Sequence, residues 1–298
     1  LFMSRHRNTE SSLVYTTGYT AVLGVLSTLA DSQTTIFSDE SNHASIIDGC
    51  RLSNSKVKVF RHNDIENLLE LVRNVKGKKI LVTEGVFSIG GDMSKLKSIC
   101  NLAKEFGIFT IVDDAHGDFV FGKNGSGTPS ELRVNGLIDV HISSLSKALG
   151  CFGGYVASTK IVREYLINKS RQFIFTSAIP THLCKSALTG ISIAKKGILQ
   201  RKLFKNVKLL HDGLTHMGFD IGNTCSQIIP IHIGSEKIAI KFADVLLQKG
   251  ILVHPMRFPT VKKGSAVLRL SLTAPHTKAQ LSYALDHIEM IGKKHKVI

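Results

Sequence analysis

The sequence predicts an α/β fold: a mostly parallel sheet covered by helices on both faces, followed by a smaller C-terminal α+β domain. Apolar runs of strand length alternate with amphipathic helical stretches through most of the chain. Those runs are nearly continuous in apolar character, as strands buried on both faces are. From about Ala187 the pattern gives way to a long helical stretch and then to closely spaced strands. The domains are therefore expected to span residues 1–186 and 187–298.

Thr17-Gly18-Tyr19-Thr20-Ala21 opens a helix expected to run to about Ala30. Strands are expected at Thr34–Ser38, Val57–Phe60, Ile80–Thr83, Phe109–Asp113, Val140–Ser143 and Gly154–Ser158. Helices are expected at Ala44–Arg51, Ile65–Val75, Lys95–Phe106 and Lys160–Lys169. One long helix is expected over Thr181–Met217. The second domain then reads as strand Ile228–Ile233, helix Lys237–Lys249, strands Ile251–Val253 and Val267–Leu272, and a closing helix Lys278–Lys293. In parallel sheets ligands collect at the carboxyl ends of the strands. Thr83-Glu84, Asp113 and Ser143-Ser144 all fall there.

The bulk composition excludes several classes. With 298 residues and 43% hydrophobic content, the chain is long enough for a large domain plus a smaller one. No apolar run reaches the length of a membrane span, and the first residues lack a signal peptide's ordered regions. The chain begins with Leu rather than Met, as a fragment or processed form does. Its five cysteines are scattered, which excludes a disulfide framework or C-x-x-C zinc site and fits a reducing compartment. A cytoplasmic location is expected. A peroxisomal one would need an S-K-L ending, and the chain ends Lys296-Val-Ile298. The net charge of +15 is dispersed, without a basic stripe interleaved with aromatics, so no nucleic-acid partner is expected.

Lys147 follows an apolar stretch, with small hydroxyl residues before it and glycines after it. Asp113 closes a strongly apolar strand. A carboxylate there is costly unless a cation accompanies it. A lysine on a Ser/Gly turn and a carboxylate at a strand end are what a pyridoxal phosphate (PLP) enzyme needs. The amine forms a Schiff base with the aldehyde, and the carboxylate keeps the ring nitrogen protonated.

Other residues carry competing readings. The helix start at Gly18 and Tyr19 is either a phosphate site or an ordinary cap. Ser144 and Ser146 would add hydroxyl donors to such a phosphate. His43 either lies flat on the ring or caps its helix, and Ser88 either reaches the ring hydroxyl or sits in a plain turn. Asp113, Asp114 and His116 read alternatively as metal ligands, but no second ligand cluster accompanies them, so no metal is expected. Gly122-Lys-Asn-Gly125-Ser-Gly127 fits no phosphate-loop spacing. Ser144-Leu-Ser-Lys147 also matches the S-x-x-K of serine β-lactamases, yet the S-D-N and K-T-G that go with it are absent. Arg269, within an apolar strand pattern, either snorkels to solvent or grips a carboxylate, and an amino-acid substrate favours the grip.

Together the motifs T-G-Y-x-A, N-H-A-S-I-I-D-G, T-E-G-V-F-S-x-x-G-D, V-D-D-A-H-G, S-L-S-K-A-x-G, F-I-F-T-S-A-I-P and L-R-L-S-L-T-A follow one another from about Thr16. In this the chain resembles the α-oxoamine synthase family of class II aminotransferase-like, fold type I PLP transferases. The resemblance implies Lys147 as the Schiff-base lysine, Asp113 at the ring nitrogen, and His43 stacked on the ring. It implies Ser88 and His116 around the ring hydroxyl, with Glu84 in the same pocket. Gly18, Tyr19 and Ser144 would cradle the phosphate, and Ser177 would reach the phosphate of a neighbouring subunit in a homodimer with shared sites. Arg269 would bind the amino-acid carboxylate. The implied reaction is decarboxylating condensation of an amino acid with an acyl-CoA, here L-alanine with pimeloyl-CoA. Glycine with acetyl-CoA, or a non-catalytic PLP-binding subunit, are the alternatives. Val22, Phe258-Pro-Thr-Val-Lys262 and Val267 depart from the family pattern, and the family's N-terminal part has no counterpart ahead of Leu13.

Overall fold

The computed structural model describes residues 2–298, which form two compact units. The first holds the residues up to Phe87 together with Met93–Gly197, and the second holds Ser88–Asp92 with Ile198–Ile298. The first unit contains, in chain order, α1 (Phe2–Arg7), β1 (Ser11–Tyr15), α2 (Gly18–Leu29), β2 (Thr34–Asp39), α3 (Ala44–Leu52), β3 (Lys56–Phe60), α4 (Ile65–Arg73) and β4 (Lys78–Glu84). It continues with α5 (Leu96–Glu105), β5 (Phe109–Asp113), α6 (Thr128–Glu131), β6 (Val140–Ser144), β7 (Gly154–Ser158), α7 (Lys160–Lys169), α8 (Arg171–Ile174) and α9 (Thr181–Ala194).

The expected α/β architecture is present. Its seven-stranded sheet runs in the order β1-β7-β6-β5-β4-β2-β3. Strands β6, β5, β4, β2 and β3 are parallel neighbours, and β7 alone runs against the strands on both its sides. Burial explains the continuous apolar runs, since successive strand residues face opposite sides. Ile36, Val82, Ile111, Ile142 and Val156 pack with Val25 and Leu26 of α2 and Ile46 of α3. Phe37 and Leu81 pack on the other face with Leu68 of α4 and Ile99 of α5. A third cluster joins Met3, Leu145, Tyr155 and Ala157 to Ala187, Ile191 and Ala194 of α9.

The parallel strands end along one edge. Glu84 is level with Asp113, and Asp113 with Ile142. Gly154 is level with both Ser144 and Tyr15, which brings the β1–α2 turn to the end of β6.

Three local expectations differ from the structure. The short edge strand β1 carries two serines and a half-exposed Val14, so it gives little apolar signal. The expected single helix over Thr181–Met217 is two helices. It breaks after Lys195-Lys196 at Gly197, whose φ of 70° suits glycine and whose N–H caps Ala194 O. Helix α9 packs into the first unit's core, and the chain passes from the first unit to the second at Gly197 and Ile198. The strand expected at Ile251–Val253 lies instead at His254–Met256, because Ile251 N–H closes the preceding helix onto Leu246 O.

The second unit comprises α10 (Ile198–His216), β8 (Ile228–Gly234), α11 (Glu236–Gln248), β9 (His254–Met256), β10 (Ala266–Ser271) and α12 (Lys278–Lys294). Its three strands form an antiparallel sheet in the order β8-β10-β9. Among the described residues no helix is long and apolar enough to cross a membrane.

A Cβ on Gly154 would stand 2.5 Å from Gly18 N and 2.5 Å from Thr17 O, and backbone cannot give way as a side-chain tip can. Gly154→Ala should cost about 1–3 kcal/mol in urea unfolding. Gly136→Ala, where a Cβ meets nothing within 4 Å, should be near neutral in the same measurement.

Candidate active site

At the carboxyl edge of the large sheet lies a half-open cavity of about 200 Å³. Its lining comes from five places in the sequence: Thr17-Gly18-Tyr19, His43 and Ser45, Glu84, Asp113 with Ala115 and His116, and Ser144 with Ser146-Lys147. The sheet makes these neighbours, because each segment stands at the end of a different strand at the same edge.

One wall is the start of α2. Thr17 caps it in a capping box with Thr20: its hydroxyl accepts from Thr20 N–H while Thr20 Oγ1 accepts from Thr17 N–H. The first N–H groups of a helix have no partner within it, so Gly18 and Tyr19 present donors where the helix dipole favours an anion. Gly18 stands so close to Ser144 that a Cβ would lie 2.8 Å from the serine Cβ. Beside it, the Ser144 and Ser146 hydroxyls hydrogen-bond to each other at 2.7 Å, which leaves one hydroxyl proton of the pair free to donate.

His43 caps α3: its Nδ1 accepts from Ser45 N–H at 3.2 Å and lies 2.8 Å from Ser45 Oγ. An accepting Nδ1 leaves the proton of the neutral ring on Nε2. Burial, with the nearby Lys147 charge, holds this imidazole below its ordinary pKa. His43 is thus both a cap and part of the cavity wall. The Tyr19 ring meets it edge-on at 6.5 Å, and the Tyr19 hydroxyl donates to Asp48.

Asp113 is the last residue of β5 and is buried. Its Oδ1 accepts from Ala115 N–H at 3.1 Å. Burial pushes its carboxyl up to about 7. Ala115 N–H opposes the rise, Asp114 adds to it, and the Lys147 and Arg7 charges oppose it. A cationic heterocycle placed in the cavity would remove most of that cost. Lys147 is exposed on the turn after β6, where Gly150, at φ 60°, returns its N–H to Lys147 O.

Gly18, Tyr19, His43, Glu84, Asp113, His116, Ser144 and Lys147 therefore meet at one cavity. Ser88 and Arg269 belong to the second unit, where Arg269 Nε donates to Ser88 O at 2.6 Å and Nη1 to Ser271 Oγ at 2.8 Å. Ser177 is exposed in the loop between α8 and α9. Asp114 turns away from the cavity onto Arg7, 2.8 Å distant, so it does not converge with Asp113 and His116. Among the described residues no three His, Cys, Asp or Glu side chains are placed to hold a metal. Sequence reasoning missed Ser45, whose signal was a hydroxyl two places after a capping histidine. It also missed Arg7, which stands beside Arg5, His6 and Asn8 in a polar run without an apolar pattern.

Residues 2–288 match the model of the family described as aminotransferase class I and II. The chain is 39% identical over 300 residues to the 8-amino-7-oxononanoate synthase of Thermoanaerobacter pseudethanolicus, covering 99% of this chain and 76% of that protein. Among solved structures, serine palmitoyltransferase from S. paucimobilis with a bound PLP–myriocin aldimine superposes with a TM-score of 0.96 at 33% identity, over 99% of this chain and 75% of that one. An 8-amino-7-oxononanoate synthase from Francisella tularensis superposes with a TM-score of 0.88 at 30% identity, over 100% and 86%.

Asp113 has a measurable signature in the cofactor-free chain. Well below pH 3.8 its carboxyl is protonated whether the chain is folded or unfolded and contributes nothing. From about pH 3.8 to about 7 the unfolded group ionises while the folded one keeps its proton, so stability falls as pH rises. Asp113→Asn should therefore raise the Tm at pH 8, by an amount on the order of a few kcal/mol of stability, and raise it progressively less as the pH is lowered toward 3.8.

Proposed function

The chain belongs to the class I and II aminotransferase family, its cofactor is PLP and its chemistry is acyl transfer; from that premise we propose that it condenses L-alanine with pimeloyl-CoA, releasing CoA and CO2, to give 8-amino-7-oxononanoate for biotin synthesis. The observation that carries this reading is the 39% identity to an 8-amino-7-oxononanoate synthase over 99% of this chain.

The donor set of the cavity fits the cofactor: a buried carboxylate in need of a cation, a lysine on an adjacent turn, and a glycine-opened helix start beside paired serine hydroxyls. Lys147 would hold PLP covalently through Nζ, with Asp113 at the ring nitrogen and His43 against the ring face. Gly18, Tyr19 and Ser144 would hold the phosphate, and Glu84, Ser88 and His116 would surround the ring hydroxyl. Bound PLP supplies an electron sink that makes the Cα proton of an amino acid removable.

The chain's own groups do the rest. Arg269 binds the alanine carboxylate through its planar fork. The Lys147 amine would act as general base for the Cα proton. Asp113, as a carboxylate, would hold a proton on the ring nitrogen. A new bond then forms between alanine Cα and the pimeloyl carbonyl carbon as the CoA thiolate leaves. Loss of CO2 and return of a proton to Cα complete the balance. We place Ser177 at the phosphate of a second subunit, in a homodimer with shared sites. The free cysteines accord with a cytoplasmic location.

A second reading, acyl transfer to serine, is favoured by the higher TM-score of the serine palmitoyltransferase structures. CoA release separates the candidates: alanine with pimeloyl-CoA should turn over far faster than serine with a long-chain acyl-CoA or glycine with acetyl-CoA. The opposite order, or none, overturns the assignment. Borohydride treatment of the PLP-loaded chain should fix the cofactor to Lys147, and Lys147→Ala should abolish both the labelling and turnover. Arg269→Gln should raise KM for the amino acid about tenfold or more while leaving cofactor absorbance unchanged.

A further inference from the structure

The reaction as proposed leaves one buried cluster of charge unused. Arg7, at the end of α1, is 1% exposed. Its Nη1 donates to Asp114 Oδ2 at 2.8 Å and to Ser126 O at 2.9 Å, and its Nε donates to Tyr155 OH at 2.8 Å. Its Nη2 lies 3.0 Å from Asp118 Oδ1. His6 Nε2 stands 2.8 Å from the same Asp118 oxygen, and Tyr155 OH donates to Asp118 Oδ2 at 2.5 Å. One guanidinium therefore serves two buried carboxylates; the phenol and imidazole both bond to Asp118, while Asp114 Oδ1 has no hydrogen-bond partner.

The cluster is closely enclosed. A Cβ on Gly85, Gly117 or Gly127 would come within 2.2, 2.1 or 2.0 Å of an Asp114 carboxylate oxygen. Backbone thus wraps this carboxylate on three sides, and Thr128 N–H donates to it at 3.0 Å.

The cluster also grips the segment that builds the cavity floor. Asp114 follows Asp113 directly. Asp114 O accepts from Gly117 N–H at 3.0 Å and from Asp118 N–H at 2.8 Å, closing a turn with His116 inside it. Both ends of that turn, Asp114 and Asp118, hold the same guanidinium. We infer that Arg7 is a positioning residue for the cofactor's ring: through Asp114 and Asp118 it fixes the turn that presents Asp113 and His116 to the cavity. This rests on the reading that the cavity takes PLP.

Removing Arg7 would leave two carboxylates buried without their cation, and a turn under that load relaxes toward water. Asp113 would feel it both as displacement and as a lost positive charge. The charged and titratable groups around the pair are Asp114, Asp118, His6, Tyr155 and, from β6, His141 about Arg7. Lys147, His43, Glu84 and His116 share the cavity with Asp113.

The test uses the PLP-loaded chain and compares Arg7→Met, Arg7→Lys and Tyr155→Phe with the parent. Three quantities are read: the PLP dissociation constant, the pH midpoint of the bound cofactor's visible absorbance, and Tm. Tyr155→Phe removes one hydroxyl and keeps the ring, so it serves as the variant expected to fold. It should weaken PLP binding about tenfold and move the absorbance midpoint. Arg7→Met should do more, and Arg7→Lys, which restores charge but not the fork, should recover only part. A lower Tm in folded variants with unchanged PLP affinity and midpoint would reduce Arg7 to a structural role and overturn the inference. If Arg7→Met does not fold, Tyr155→Phe decides alone. Failure of the parent chain to take PLP at Lys147 is a different result, one that removes the cofactor reading itself.

Discussion

Two consecutive aspartates leave the end of β5, and neither can be buried as an anion without a cation. Asp114 finds its cation inside the protein, in a guanidinium at 2.8 Å. Asp113 finds only a backbone N–H and a cavity, and burial holds its carboxyl near 7. The unmet demand of Asp113 is what supports the proposal that this edge of the sheet receives a protonated heterocycle. The ion pair of Asp114 with Arg7 holds the residue next to Asp113 inside the protein.

The sheet supplies the rest of the site through direction. Because β2, β4, β5 and β6 run parallel, the segments that follow them emerge at one edge. Strand order brings residues far apart in sequence within one cavity: a helix start for an anion, an imidazole cap, carboxylates and a lysine. Gly18 and Gly154 matter here as absences of side chain, since the α2 start must lie against β6 and β7 for its N–H groups to face the Ser144 hydroxyl.

Much of this was legible in the linear chain. The strands β2 to β7 could be placed within a few residues, because continuous apolar runs bounded by helical stretches have few other solutions. Lys147 and Asp113 stood out because each breaks a local rule: an amine in a Ser/Gly turn, a carboxylate closing an apolar strand. Other elements were illegible for equally physical reasons. Strand β1 is short, at an edge and serine-rich, so no periodicity marks it. The helix over Thr181–Met217 reads as continuous until Gly197 takes a positive φ and each half packs in a different unit. Arg7 sits among Arg5, His6 and Asn8, a composition that reads as solvated surface.

The sequence by itself determined the order of strands and helices, the α/β class and the residue types of the cavity. These follow from side-chain period, chain stiffness and capping chemistry, all local to a few residues. Only the tertiary structure decided that β7 runs against its neighbours, that Asp114 faces inward while Asp113 faces the cavity, and that Arg7 is interior. Arg7 meets Asp114 across 107 positions of sequence and Tyr155 across 148. No local pattern encodes a pairing at that range, because the free energy of a buried charge depends on which groups the completed fold brings within hydrogen-bonding distance of it.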